Sequence, residues 1–110
     1  MKILILGGDG MIGHKMVQVL SDFNHEIIIS IREQRELTKQ CFSSQVNVFF
    51  NDFLKENVVT FLDRVNPDII INAIGITIRR GVNDHVFNAI YINAYFPHQL
   101  ANWVAIHNKR

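Results

Sequence analysis

Apolar residues fall into short continuous runs that alternate with stretches of helical spacing. Ile3, Leu4, Ile5 and Leu6 form a run too short for a helix and stopped by Gly7 and Gly8, the pattern of a strand buried on both faces. From residue 11 to 23 the positions Met11, Ile12, Met16, Val17, Val19, Leu20 and Phe23 recur with helical spacing, and Asn24 marks a stop. A helix is therefore predicted directly after the first strand. Residues 25–31 hold four isoleucines, Ile27, Ile28, Ile29 and Ile31, and predict a second buried strand.

Residues 33–44 are polar and carry mixed charges, so a loop and a short helix are both open there. Residues 46–50 predict a third short strand. Leu54, Val58, Phe61, Leu62 and Val65 then share one helical face, which predicts a helix over 54–65 that ends before Asn66 and Pro67. Residues 68–73, centred on Ile69, Ile70 and Ile71, predict a fourth buried strand closed by Gly75. Residues 86–107 are helical in pattern, but Pro97 removes a backbone donor and crowds the preceding turn, so the helix should bend or restart near Phe96. Alternating apolar strands and helices predict an α/β fold of the Rossmann-like type. Its parallel sheet should have about four strands, right-handed crossovers and helices on both faces.

Composition narrows the function classes. With 110 residues the chain forms one domain, 1–110, and its 48% apolar content supplies a core. A formal charge of +1 gives no field to draw in nucleic acid or an anionic membrane, so neither is expected as a partner. The single cysteine, Cys41, makes no internal bridge and fits a reducing compartment, so a cytoplasmic location is expected. No run approaches the roughly 18 apolar residues of a spanning helix. The five histidines show no ligand spacing, and no metal site is expected.

The chemistry concentrates between the first strand and the first helix, in Gly7-Gly8-Asp9-Gly10-Met11-Ile12-Gly13. Read from Gly8 this is G-x-G-x-x-G, and read from Gly7 it is G-x-x-G-x-x-G; counting leaves both registers open. In either, the first glycine permits a tight turn, the middle one lets a pyrophosphate approach the backbone, and Gly13 lets the helix pack on the strand. The helix start then offers unpaired amides and a positive dipole end to the phosphates. Asp9 should point away, since its carboxylate would repel them. A magnesium-type phosphate loop is excluded, because Gly13 is followed by His14, Lys15 and Met16, with no lysine and hydroxyl in sequence.

The end of the second strand bears on which dinucleotide binds. Arg32 offers planar donors suited to the 2′-phosphate of NADP, whereas a carboxylate would suit the ribose of NAD. NADP is the expected cofactor, with NAD left open through Glu33. Arg32 paired with Glu36 on the surface is the alternative for that side chain. Arg79 and Arg80 stand after the fourth strand, where contact with a phosphate and a solvated loop are both open. Trp103, Tyr95 and Phe96 have helical spacing and are read as core or interface.

Three segments, MKILILGGDGMIGHKM, NPDIIINAIGI and NAIYINAYFPHQLA, together resemble the amino-terminal half of extended short-chain dehydrogenase/reductases, nearest to the dTDP-4-dehydrorhamnose reductase branch of nucleotide-sugar enzymes. The resemblance implies the register Gly7, Gly10, Gly13, with Met11 and Ile12 beside the cofactor. It implies that Asp52, followed by Phe53, contacts the adenine amine. Asn72, Ala73, Ile74 and Gly75 would line the adenosine and pyrophosphate side of the cleft, with Ile74 at a position that is usually small. Asn93 would hold a supporting place near the active site.

The family's chemistry also uses a Tyr-x-x-x-Lys pair, in which tyrosine passes a proton and lysine lowers its pKa. Tyr91 is followed at that spacing by Tyr95, and Tyr95 by Gln99, so residues 1–110 hold no such pair. The sequence therefore reads as the NADP-binding portion of a nucleotide-sugar oxidoreductase, truncated before its fifth strand. It should bind cofactor and show no turnover alone. A non-catalytic dinucleotide-sensing or protein-interaction module is the alternative. An exposed sheet edge and the last helix lead to an expectation of self-association.

Overall fold

A computed structural model describes residues 1–33, 45–77 and 86–110. Its first unit is β1 (Lys2–Leu6), α1 (Met11–Ser21) and β2 (Glu26–Ile31). There follow β3 (Asn47–Phe50), α2 (Val58–Val65) and β4 (Ile69–Asn72). The last stretch is one helical run in three parts: α3 (Val86–Ile90), a π-helical segment (Tyr91–Tyr95) and α4 (Phe96–Ile106). The four strands form one sheet in the order β3-β2-β1-β4, and every pairing is parallel.

Alternation along β1 explains the layers. Ile3 and Ile5 face one side with Ile27, Ile29 and Ile31 of β2, and Val17, Met16 and Leu20 of α1 cover them. Leu4 and Leu6 face the other side with Ile28, beneath Phe61 and Leu62 of α2 and Phe96, Leu100 and Trp103 of α4. Each fully buried large side chain of this kind contributes about 1.5–3 kcal/mol of transfer free energy. The two central strands are buried along almost their whole length, as their unbroken apolar runs require.

The outer strands differ from the expectation. β4 is half-buried, not fully buried, because it lies at the sheet's edge beside β1 alone. The chain's last residue reaches that edge: Arg110 donates to the Asp68 carbonyl at 3.2 Å and accepts from Ile70 N–H at 2.8 Å. β3, at the opposite edge, is mostly exposed.

Helix α2 starts at Val58, four residues later than its apolar face suggests. Asp52 accounts for the delay. Its carbonyl accepts from Lys55 and Glu56, its side chain accepts from Leu54 N–H, and its N–H donates to Glu56 Oε2, so a closed turn fills 52–56. Asn57 then caps the helix through Val59 N–H at 2.9 Å. At the other end Asn66 adopts φ 48° before Pro67.

The expected interruption at Pro97 takes the form of a π turn. Phe96 N–H bonds the Tyr91 carbonyl five residues back, and α4 begins at Phe96 with Pro97 in its first turn. Among the described residues, no helix is long and apolar enough to cross a membrane, and no cluster of three or more His, Cys, Asp or Glu is placed to hold a metal. Cys41, Glu36, Arg79 and Arg80 lie outside the described residues.

Candidate dinucleotide cleft

The strand order reverses at β1, with β2 and β3 on one side and β4 on the other. In an open parallel sheet the crevice at such a point, beyond the carboxyl ends of the strands, is where a ligand can enter. A cleft of about 280 Å³ occupies that place. The residues that follow all four strands line it, including Gly7, Arg32, Asp52 and Gly75.

The glycine turn gives each glycine a distinct task. Gly7 has φ 79°, donates to the Ser30 carbonyl at 2.8 Å, and would bring a Cβ to 3.0 Å from the Ala73 carbonyl. Gly8 is buried, and a Cβ there would come within 2.9 Å of Ile29 Cβ. A Cβ on Gly13 would fall on the Gly7 carbonyl oxygen, which is why α1 can lie so close to the turn.

Gly10 is different. It is the extended N-cap of α1, and a Cβ there would meet nothing nearer than the Gly7 carbonyl oxygen, at 3.4 Å. The protein's own packing therefore does not require glycine at position 10, although that position lines the cleft. No side-chain hydrogen bond caps α1, and its first turn has no acidic residue. Helix geometry leaves the first amides without intrahelical acceptors, so an anion at Gly10 would meet donors and the positive end of the dipole. The site fits a diphosphate.

Around this turn the predicted residues divide. Gly7, Gly10, Arg32, Asp52, Phe53, Ala73, Ile74 and Gly75 all line the cleft. Met11 and Ile12 have exposed side chains and stand outside the lining, while Gly13 acts through packing. Asn72 is also outside the lining; its side chain accepts from Ile74 N–H at 3.1 Å and shapes the turn that places Ala73 to Gly75. Asp9, expected to face away, is exposed and contributes to the lining.

At the end of β2 the Arg32 guanidinium lies 3.7 Å from Glu33 Oε1. Both side chains are about 60% exposed, so the pair is weak and open to exchange with a ligand. Asp52 follows β3, the strand beside β2, with Oδ1 fixed by Leu54 N–H at 3.0 Å. Asn93, in the π segment, accepts from Ile76 N–H and donates to the Ile76 carbonyl, holding the loop after β4.

Sequence reasoning passed over Ser30, Asn51, Leu54, Ile76 and Ile92 as lining residues. Ser30 was findable: it is the one polar residue within the isoleucine run of β2. Ile92 gave no signal, because a π turn carries its own phase.

Residues 3–110 match the NAD dependent epimerase/dehydratase family. No curated protein matches the chain. Among solved structures, the Bordetella bronchiseptica enzyme WbmH in complex with NAD+ superposes with a TM-score of 0.73 at 14% identity, covering 98% of this chain and 36% of that one. UDP-glucuronic acid 4-epimerase from Bacillus cereus, in complex with UDP-glucuronic acid and NAD, gives 0.71 at 17% identity, covering 94% and 36%. A short chain dehydrogenase from Leptospira borgpetersenii with bound NAD+ gives 0.67 at 26% identity, covering 92% and 43%. The chain thus spans between about a third and just over two fifths of the length of these proteins.

Proposed function

The chain belongs to the NAD dependent epimerase/dehydratase family, and on that footing we propose that its cleft binds a nicotinamide dinucleotide with the diphosphate over Gly10. The observation that carries this reading is the bare backbone at Gly10, which faces the cleft at an uncapped helix start and which internal packing does not explain. Adenosine then lies toward Asp52 and Phe53, and its ribose toward Arg32 and Glu33. Ala73, Ile74 and Gly75 form the opposite wall.

The finer choice we propose is NADP. Arg32 supplies a permanent cation with planar donors for a 2′-phosphate, and the exposed Glu33 partner is displaced at small cost. The complexes with NAD among the similar structures support the dinucleotide class, and Glu33 is the group here that would serve a ribose hydroxyl.

When bound, the dinucleotide supplies hydride transfer. Residues 1–110 supply binding and orientation: amides for the diphosphate, an acceptor for adenine, and a wall held by Asn93. They contain no Tyr-x-x-x-Lys pair, so proton transfer is not assigned to any residue here. For a whole enzyme with this cofactor portion we propose a nucleotide-linked sugar as substrate, in the dTDP-4-dehydrorhamnose reductase-like branch. The three sequence segments named above support that branch, and the sugar-nucleotide complex of the Bacillus cereus epimerase supports the coarser substrate class alone.

Titration calorimetry with NADP and NAD tests the proposal. Binding that weakens on Gly10→Ala is the expected result. No binding of either at about 1 mM, corresponding to an affinity weaker than roughly −4 kcal/mol, would overturn it.

A further inference from the structure

Outside the cleft lining, three side chains from two helices converge: Asp63 of α2, Trp103 of α4, and His107, the C-cap of α4. Trp103 is 2% exposed, and its indole N–H donates to Asp63 Oδ1 at 2.7 Å. The His107 ring stacks on the indole with centroids 4.2 Å apart. Its Nδ1 lies 2.8 Å from the Trp103 carbonyl, which also accepts the His107 backbone N–H at 3.0 Å.

A carbonyl can only accept, so Nδ1 carries the proton, and in the neutral imidazole Nε2 keeps its lone pair. That nitrogen stands 3.7 Å from Asp63 Oδ1. A nitrogen donor and an oxygen donor are thus side by side, each fixed by a hydrogen bond to Trp103. Metal-bound histidines are oriented in the same way, by the other ring N–H on a backbone carbonyl or carboxylate. Donors around a tetrahedral cation with bonds of about 2.0–2.1 Å are about 3.3 Å apart, so a closure of about 0.4 Å seats an ion between them. Oδ1 keeps a second lone pair for it beside the indole bond. The side chains of His107 and Asp63 are 39% and 57% exposed, which opens the pair to an ion and its waters.

We infer that His107 Nε2 and Asp63 Oδ1 form a two-donor site for a divalent transition cation of the zinc, nickel or copper(II) class, joining α2 to α4. Imidazole suits these ions, whereas magnesium and calcium take oxygen donors. Water completes the coordination, so the site is open and exchangeable. Histidine spacing along the chain carries no sign of it, because the second donor comes from another helix. The inference stands independently of the dinucleotide reading of the cleft.

Trp103 is the chain's single tryptophan, so its fluorescence reports on this cluster. The test titrates chelator-treated protein without an affinity tag with copper(II), nickel(II), zinc(II) or magnesium chloride, and follows tryptophan fluorescence and thermal unfolding. It is run on the native sequence, His107→Gln and Asp63→Asn, the last of which keeps an oxygen for the indole while removing the charged donor. Copper(II) should quench Trp103 saturably and more tightly than nickel(II), as the stability series orders them. Zinc(II) should raise the melting temperature by mass action, and magnesium should do neither. Acid should release the copper, since the ligand is the neutral imidazole. His107→Gln should abolish the saturable quenching, and Asp63→Asn should weaken it about tenfold or more.

A native protein whose Trp103 shows no saturable quenching by copper(II) up to about 1 mM would overturn the inference, since that limit marks only the weakest specific binding. Quenching of native strength in either variant would do the same. Where one variant does not fold, the other decides.

Discussion

Asn93 holds Ile76 by both ends of its backbone: the Ile76 N–H donates to Asn93 Oδ1 at 2.9 Å, and Asn93 Nδ2 donates to the Ile76 carbonyl at 2.7 Å. The helix thereby imitates a strand neighbour for a loop that has left the sheet. Since Ile76 lines the cleft, the π turn carrying Asn93 supports the wall after β4. Asn93→Ala removes both bonds at a partly solvated site and should cost about 1–2 kcal/mol. Amide exchange at Ile76 should accelerate, and dinucleotide affinity should fall with it. Unchanged protection at Ile76 would show that the loop is held by something else.

The glycines separate folding from binding. Gly13→Ala places a methyl group on the Gly7 carbonyl, and Gly7→Ala forces a left-handed conformation worth about 1–2 kcal/mol against the Ala73 carbonyl. Both should lower the melting temperature, Gly13→Ala to the point of poor folding. Gly10→Ala meets only one atom at 3.4 Å and should keep the melting temperature within a few degrees, while weakening dinucleotide binding about tenfold or more. Calorimetry and thermal unfolding on the same three variants read the contrast.

Arg32 and Glu33 should exchange roles between cofactors. Arg32→Ala is expected to weaken adenosine 2′-phosphate about tenfold and adenosine less than twofold. Glu33→Gln removes the competing carboxylate, so it should strengthen the 2′-phosphate and weaken adenosine. Competition between adenosine 2′-phosphate and adenosine measures this. An Arg32→Ala protein that still prefers the phosphorylated one would place the 2′-phosphate elsewhere.

Acid sensitivity should involve the far end of the sheet. The Lys2 backbone N–H at 2.8 Å, followed by Lys109 at 3.5 Å, holds the Asp68 carboxyl below its ordinary value of 3.8. The unfolded chain therefore binds more protons between the folded value and 3.8, and stability falls as pH drops through that window. Above it the contribution is fully present. Asp68→Asn should flatten that acid limb, read as the urea midpoint against pH, and should loosen the junction of β1 with β4.

Self-association is a prediction drawn from the helix surface. Val86, Phe87, Ile90 and Tyr95 are all more than half exposed, and Phe87, Tyr91 and Tyr95 run as a ladder with ring centroids 6.5 and 5.2 Å apart. Sedimentation of the protein should show a dimer or larger species, and Phe87→Ser with Ile90→Ser should shift it to monomer. A native protein monomeric at about 100 μM would remove the expectation, since that concentration lies well above typical specific affinities.

What the sequence determined by itself is whatever short-range physics fixes. Runs such as Ile3 to Leu6 and Ile27 to Ile31 are apolar on both faces but for Ser30, so they had to become central strands, and Gly7 to Gly13 had to become a turn into a helix. Arg32 was legible because it stands just beyond an apolar run, where a parallel sheet opens its cleft, whereas Asp52 was named only through the family resemblance. The start of α2 was not, since Leu54 shares the helical phase while the Asp52 and Glu56 bonds draw it into a turn. Only the tertiary structure decided which strands became edges, and hence why Ile69 to Ile71 are half-buried despite their composition. It alone brought Ser30 to Asn51 and Asn93 to Ile76. Those contacts span 21 and 17 residues, and their partners are chosen by strand order and by the phase of a π turn, which no local pattern encodes.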